Sequence, residues 1–221
     1  MTSSTVWAAL SLRNKEACKE VFQMNLKTDL PTPFDCTVAL APLARGAAVS
    51  RLMALGNLDL LQHDTLALFC SARCPGSLIL KFYDALRTLR DKRQTVISGF
   101  HSPLEQEALL TLMQGQGGII ICPARSIDTM RVPIAWQQAI SDDRLLVISP
   151  FGMHEERITA RLAARRNEFV AAIANRVLIV YAEPASRTAE LARTILERGT
   201  RLLTLPVPEN KHLLEIGAGS L

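Results

Sequence analysis

Short apolar runs rich in β-branched residues recur along the chain from about Arg51 onward, separated by amphipathic stretches of helical length. The runs that we interpret as buried strands are Leu66–Cys70, Thr95–Ser98, Gly118–Cys122, Leu145–Ser149, Val177–Ala182 and Arg201–Leu205. The stretches that we interpret as helices are Ser77–Asp91, Pro103–Met113, Pro133–Ile140, Arg157–Ile173 and Arg187–Arg198. Strand and helix in regular alternation predict an α/β fold, with a doubly wound and mostly parallel sheet of at least five strands.

The first fifty residues follow a different pattern. Trp7 to Leu26 is typical of a helix with one polar face, and Pro31 and Pro33 then interrupt the chain. We therefore predict an N-terminal helical extension and linker in residues 1–50 and the α/β domain in residues 51–221. Met1 to Asn14 has no basic segment ahead of an apolar stretch, so we expect no secretory signal.

Composition agrees with this pattern and narrows the class of protein. Hydrophobic residues make up 48% of the chain and aromatic residues only 5%, so aliphatic side chains must fill the core. No apolar run approaches the length of a membrane span. Five cysteines without paired spacing indicate free thiols, and we expect a cytoplasmic protein. The net charge of +4 permits a polyanionic partner without requiring one.

Turns rich in small residues, hydroxyl groups and arginine follow several of the predicted strands. Ligands of open α/β sheets bind at the carboxyl ends of the strands, where helix N-termini, hydroxyls and guanidinium groups suit phosphate. We therefore predict that the turns at Ser71, Gly99, Pro123 and Ser186 line a common crevice for a phosphorylated ligand. Serine and proline also begin helices for purely structural reasons, so helix capping is the alternative.

Several segments, in chain order, resemble the DprA/Smf DNA-processing family, whose core is Rossmann-like. The resemblance runs from about Leu52 to Ala218. Its segments are Leu55-Gly56-Asn57 (the family's glycine–asparagine segment), Cys70 to Arg73 ("GSR"), Ser98 to Glu105 ("SGxARGID"), Arg166-Asn167 with Phe169 to Ala171 ("RNxxIA"), Val177 to Ala189 ("VLVVEA…S…TA"), Leu205-Pro206 and Ile216-Gly217-Ala218.

The chain also departs from the family pattern. Cys70 replaces the first glycine of "GSR", Ser102 stands where the arginine of "ARGID" belongs, Glu105 replaces its aspartate, and Glu168 replaces the second arginine of "RNR". We therefore interpret the chain as a short, divergent branch of the family, without its winged-helix tail.

The resemblance implies single-stranded DNA binding and the loading of a recombinase onto the DNA, and we expect no catalysis. We predict a DNA-processing protein that binds single-stranded DNA or a nucleotide at the carboxyl edge of the sheet and needs no cofactor. Two alternatives are a phosphoribohydrolase-like enzyme acting on a nucleotide or phosphosugar and a nucleotide-sensing regulatory domain. The hydrolase motif "PGGxGTxxE" is absent after Ala182. A recombinase partner and a homodimer are left open.

The binding candidates combine the turn residues with the matched "RN" pair: Ser71, Arg73, Gly99, Ser102, Arg166, Asn167, Ser186, Arg187 and Thr188. Arg165 and Arg166 flank an apolar helical face, and a charge is rarely buried without a partner. Either Arg166 reaches an anion at the sheet edge or it forms a structural salt bridge, for example with Glu183. Arg157 and Arg161 extend a basic stripe that we interpret as a solvated face.

His101 and Glu105 lie one turn apart at a predicted helix start, where they could act as acid and base or simply cap the helix. Cys70, Cys74 and Cys122 fall near the same edge as His101. Zinc requires converging ligands, and the paired C-x₂-C spacing is missing, so we predict no metal site and small buried cysteines. Whether these four residues converge is left open.

Overall fold

The computed structural model describes residues 32–36 and 51–221 of the chain. The helix predicted for Trp7 to Leu26 and most of the predicted linker lie outside the described residues. The division into residues 1–50 and 51–221 therefore stays a prediction. Within the described part of the chain, no helix is both long enough and apolar enough to cross a membrane.

The described residues contain nine strands and six α-helices. The strands are β1 (Phe34–Asp35), β2 (Met53–Gly56), β3 (Thr65–Cys70), β4 (Thr95–Ser98), β5 (Ile119–Ile121), β6 (Leu145–Ser149), β7 (Arg176–Tyr181), β8 (Arg201–Thr204) and β9 (Gly219–Ser220). The helices are α1 (Ile79–Asp91), α2 (Pro103–Met113), α3 (Ile134–Ser141), α4 (Ala160–Ile173), α5 (Arg187–Glu197) and α6 (Lys211–Glu215). The predicted α/β, Rossmann-like, doubly wound fold with mostly parallel strands is confirmed.

The chain divides into two compact units. The described part of the first comprises residues 32–36, 51–63 and 120–173, and its strand order is β1-β2-β6-β5. β2 pairs antiparallel with both β1 and β6. Helices α3 and α4 belong to this unit, together with a 3-10 helix at Leu58–Gln62.

The second unit comprises residues 64–119 and 174–221, with strand order β4-β3-β7-β8-β9. All the pairs in this row are parallel. Every residue of β3 and β4 is buried, as a strand covered on both faces requires. Because parallel neighbours point the same way, the turns that follow β4, β3 and β7 leave the sheet at the same edge.

Candidate functional site

The turns after β3 and β7 are joined at the carboxyl edge of the second unit. The backbone N–H of Ser71 donates to the carbonyl of Tyr181 at 2.9 Å. The Ser71 hydroxyl oxygen accepts the backbone N–H of Glu183 at 3.1 Å. Ser71 is 8% exposed, so its hydroxyl serves first to fix the two turns together. The turns at Ser71, Gly99 and Ser186 lie at one edge of this unit, whereas Pro123 belongs to the first unit.

Glu105 connects the turn after β3 to the turn after β4. One carboxylate oxygen (Oε1) accepts the backbone N–H of Cys70 at 3.0 Å. The other (Oε2) accepts the N–H groups of His101 at 2.8 Å and Ser102 at 3.1 Å. The Ser102 hydroxyl in turn accepts the N–H of Glu105, which completes a capping box at the start of α2. Both oxygens of Glu105 are thus engaged with backbone donors, and this geometry favours the capping alternative over an acid–base role.

Arginine and hydroxyl groups remain at this edge, but acidic groups accompany them. Arg73 is exposed, and none of the described residues forms an ion pair or hydrogen bond with its side chain. Ser186 caps α5 by accepting the N–H of Ala189 at 3.3 Å, so Arg187 and Thr188 lie in the first turn of that helix. Burial raises the pKa of Tyr181, and the nearby carboxylates of Glu183 and Glu209 raise it further. The edge of the second unit is therefore mixed in charge.

Arg166 is buried within the first unit, on α4, with only 5% of its surface exposed. Its Nη1 donates to the carbonyl of Cys122 at 3.0 Å, and its Nε donates to Oδ1 of Asn167 at 2.6 Å. Burial raises the pKa of the Cys122 thiol to about 12, while the Arg166 guanidinium acts in the opposite direction. Both acceptors are neutral groups, a backbone carbonyl and a side-chain amide. Because the carbonyl belongs to Cys122, the bond holds α4 against the end of β5.

Replacing Arg166 with Met is expected to lower the free energy of unfolding by about 2 kcal/mol, because the buried Cys122 carbonyl loses its donor. Urea denaturation followed by circular dichroism measures the change. Arg161→Met, an exposed position on the same helix, is the control and should shift stability by less than about 0.5 kcal/mol. An Arg166→Met protein as stable as its parent would contradict the structural role and favour a ligand role.

Two adjoining hollows in the first unit are lined in part by further arginines. The first, of about 260 Å³, is lined by residues of two loops, which include Arg125 and Arg157 and also the acidic Asp128 and Glu156. The second, of about 480 Å³, shares Glu156 and Arg157 with it and extends to Arg161. We call the two together the basic groove. Among the described residues, no carboxylate forms an ion pair with Arg125, Arg157 or Arg161.

The interpretation of Arg157 and Arg161 as a plain solvated face missed this groove. Both are exposed, as expected, but they line a concave surface together with Arg125, some thirty residues earlier in the chain. The only sequence signal was the number of arginines between Arg125 and Arg166. Their arrangement depends on which two loops meet, and the sequence pattern does not contain that information.

Burial disfavours the thiolate form of three of the described cysteines, Cys70, Cys74 and Cys122. Burial strongly raises the pKa of Cys70 and also raises that of Cys74. Cys36, Cys70, Cys74 and Cys122 are all free thiols. Over residues 32–36 and 51–221, no three side chains of His, Cys, Asp or Glu come together in a way that could hold a metal ion.

Comparison with known proteins identifies a matching family and two similar structures. The family model of DNA recombination-mediator protein A matches residues 43–218. DNA processing protein A (DprA) from Streptococcus pneumoniae has a similar structure, with a TM-score of 0.67 and 19% sequence identity over 94% of this chain and 74% of that chain. DNA processing protein A from Helicobacter pylori, whose structure gave insight into its single-stranded DNA binding mode, has a TM-score of 0.63 and 20% identity over 77% and 81% of the two chains. No curated protein matches the chain significantly.

Proposed function

Because the chain belongs to the DNA recombination-mediator protein A family, we propose that it binds single-stranded DNA through phosphate contacts and does so without catalysis. The resemblance noted in the sequence is thereby confirmed at the level of family and fold. The H. pylori protein, of similar fold, binds single-stranded DNA, and this supports the same class of ligand here. A cytoplasmic location, a recombinase partner and a homodimer are further expectations of the same proposal.

The observation that carries the proposal is the basic groove. Arg125, Arg157 and Arg161 are exposed, close to one another, and without ion-pair partners among the described residues. Carboxylates of Asp128, Glu155 and Glu156 also line the groove, but Asp128 is paired with Arg51 and Glu155 with Arg165, so the three arginines can still attract an anion. A phosphodiester backbone supplies such anions in series, and guanidinium groups bind phosphate oxygens with two parallel hydrogen bonds.

One apolar side chain in the groove suits a single strand in particular. Met153 lines the first hollow and is 59% exposed. Unpaired bases present apolar faces that pack on such side chains, whereas the bases of a duplex are stacked on one another. The groove therefore offers both phosphate contacts and a surface for a base.

The edge of the second unit is a weaker part of the proposal. Arg73, Arg187 and Thr188 remain candidates for phosphate contacts there, together with the N-terminus of α5. The hydroxyls of Ser71, Ser102 and Ser186 already accept backbone N–H groups, and the carboxylates near Tyr181 oppose a polyanion. We therefore expect single substitutions at this edge to weaken binding less than those in the groove.

The hydrolase alternative has less support. It would require Glu105 or His101 to act on a substrate, but the carboxylate of Glu105 accepts backbone N–H groups from both adjoining turns. A nucleotide-sensing domain would bind a free nucleotide in preference to an oligonucleotide. Competition between the two ligands therefore separates the alternatives.

The test of the proposal is the triple variant Arg125→Ala, Arg157→Ala and Arg161→Ala. Its affinity for a fluorescent oligothymidylate, measured by anisotropy across a range of salt concentrations, is expected to fall roughly 100-fold, at about 1 kcal/mol for each lost charged contact. The slope of log K against log salt should flatten by about 2, since each phosphate contact to a single strand contributes about 0.7. Arg87→Ala is the control, because Arg87 is exposed but already paired with Asp84.

Two results would contradict the proposal. If the triple variant binds oligothymidylate with the affinity and salt slope of the parent, the groove is not the site. If a nucleoside monophosphate displaces the oligonucleotide at a concentration close to the dissociation constant of the nucleotide, the protein is a nucleotide sensor.

A further inference from the structure

The loop after β6, residues 150–157, is closed by one acidic side chain. The backbone N–H of Glu155 donates to the carbonyl of Gly152 at 2.9 Å. A second hydrogen bond joins the same two residues, since Oε2 of Glu155 accepts the N–H of Gly152 at 3.1 Å. The stretch from Gly152 to Glu155, which carries Met153, is thus a tight turn bonded at both ends.

The same residue ties this loop to the loop after β5. The backbone N–H of Ser126 donates to the carbonyl of Glu155 at 2.8 Å. At the other end of the same peptide group, the carbonyl of Arg125 accepts the hydroxyl of Ser149 at 2.7 Å. The backbone at Arg125 and Ser126 is therefore held from two directions, and the position of Glu155 helps to decide where Arg125 leaves the loop.

Helix α4 supplies the third part of the arrangement through Arg165. Its Nη1 lies 2.7 Å from Oε1 of Glu155, and the two side chains are only 38% and 25% exposed. The guanidinium also stacks over the ring of Phe151, at 5.3 Å from the ring centroid. Beneath it, Ala124, Phe151 and Leu162 form a buried apolar cluster, so the pair rests on a packed floor.

We propose that Glu155 and Arg165 are positioning residues, whose ion pair holds the two loops of the basic groove so that Arg125 and Arg157 face the same strand of DNA. This inference rests on the proposed function. Neither side chain is assigned a direct contact with the ligand: Arg165 is engaged with Glu155 and Phe151, and Glu155 carries the wrong charge for phosphate.

Whether replacing Glu155 raises or lowers the affinity for DNA distinguishes a positioning role from simple charge repulsion. A carboxylate beside a DNA-binding groove repels phosphate, so removing it should by itself tighten binding. If Glu155 positions the arginines, the same substitution should weaken binding, because an amide keeps only one of the two acceptor oxygens and loses the charge that attracts Arg165. Glu156 provides the matched comparison, since it is the next residue, lines both hollows and forms no hydrogen bond or ion pair with the described residues.

The experiment compares Glu155→Gln with Glu156→Gln, using oligothymidylate binding by fluorescence anisotropy. We expect Glu155→Gln to weaken binding about tenfold and to flatten the salt slope, although every arginine of the groove is still present. Glu156→Gln should tighten binding about twofold, since it removes a repulsive charge and little else. Arg165→Met should resemble Glu155→Gln, and the double variant Glu155→Gln, Arg165→Met should be no weaker than either single variant.

A second measurement does not depend on DNA. Hydrogen exchange of the backbone amides of Gly152 and Ser126 should be faster in Glu155→Gln and Arg165→Met than in the parent and in Glu156→Gln. Arg165→Lys retains the charge and should recover part of the protection. If either variant fails to fold, Arg165→Lys tests the positioning role by itself. We then expect it to lose part of the hydrogen-exchange protection and part of the affinity for oligothymidylate.

The outcomes are distinguishable. A parent protein that does not bind oligothymidylate contradicts the proposed function, and unchanged exchange at Gly152 and Ser126 in Glu155→Gln would then overturn the positioning role as well. A parent that binds, with Glu155→Gln binding as tightly or more tightly, overturns the positioning role and leaves the proposed function intact.

Discussion

Replacing Glu105 with Ala is expected to lower the free energy of unfolding by about 4 kcal/mol, which is a large part of the stability of a typical domain. The carboxylate accepts backbone N–H groups from Cys70, His101 and Ser102, and it is itself only 5% exposed. An unsatisfied buried donor costs about 1–3 kcal/mol, and water entering the space left by the side chain would recover part of that cost. Urea denaturation followed by circular dichroism measures the loss.

Two comparisons make this result specific. Glu105→Gln keeps one carbonyl oxygen but turns an amide nitrogen toward N–H donors, so its loss should be about half as large. Glu107 lies on the same helix and is exposed, and its carboxylate accepts the Tyr83 hydroxyl at 3.3 Å, so Glu107→Ala should cost less than about 0.5 kcal/mol. A Glu105→Ala protein no less stable than Glu107→Ala would show that the three contacts contribute nothing.

Replacing Gly56 with Ala is expected to cost at least about 4 kcal/mol, or to prevent folding. Gly56 has a φ of +106°, which side chains other than glycine rarely adopt. A Cβ atom there would lie 2.2 Å from the carbonyl oxygen of Leu145 and 3.2 Å from the Cα of Leu146. Both are backbone atoms of β6, the partner strand, so they cannot turn away as a side chain could.

The comparison for this prediction is Gly152→Ala in the same unit. Nothing lies within 4 Å of a Cβ built on Gly152, and its φ is not in the left-handed region, so the change should be within about 0.5 kcal/mol of neutral. Thermal unfolding of the two variants under identical conditions gives the difference. Equal melting temperatures for Gly56→Ala and Gly152→Ala would contradict the close approach of β2 to β6.

Buried strands were the easiest part of the fold to predict from the sequence. Thr95–Ser98 and Leu145–Ser149 begin and end where they were predicted, because each is a short β-branched run between polar segments. β2 was missed as a strand, although Leu55-Gly56-Asn57 was recognised as a family segment. It ends at a glycine and pairs antiparallel with a strand about ninety residues later, and no local pattern contains that pairing.

The candidate site was predictable only where the interactions are local. Ser102 and Glu105 have the spacing of a capping box, so the first turn of α2 could be anticipated. The third bond of Glu105, to Cys70, spans thirty-five residues and follows only from the order of β3 and β4. The position of Arg166 beside an apolar face was predictable, but its acceptor was not, because a backbone carbonyl leaves no mark in a sequence.

The way in which Glu105 is bonded has a consequence for how this protein can evolve. The carboxylate binds the backbone of two turns and is indifferent to the side chains displayed there. Exposed positions such as Ala72, Arg73 and His101 can therefore be exchanged at little cost in stability. A combinatorial library at these three positions should yield mostly folded members, and selection from it could alter ligand preference while the scaffold stays the same.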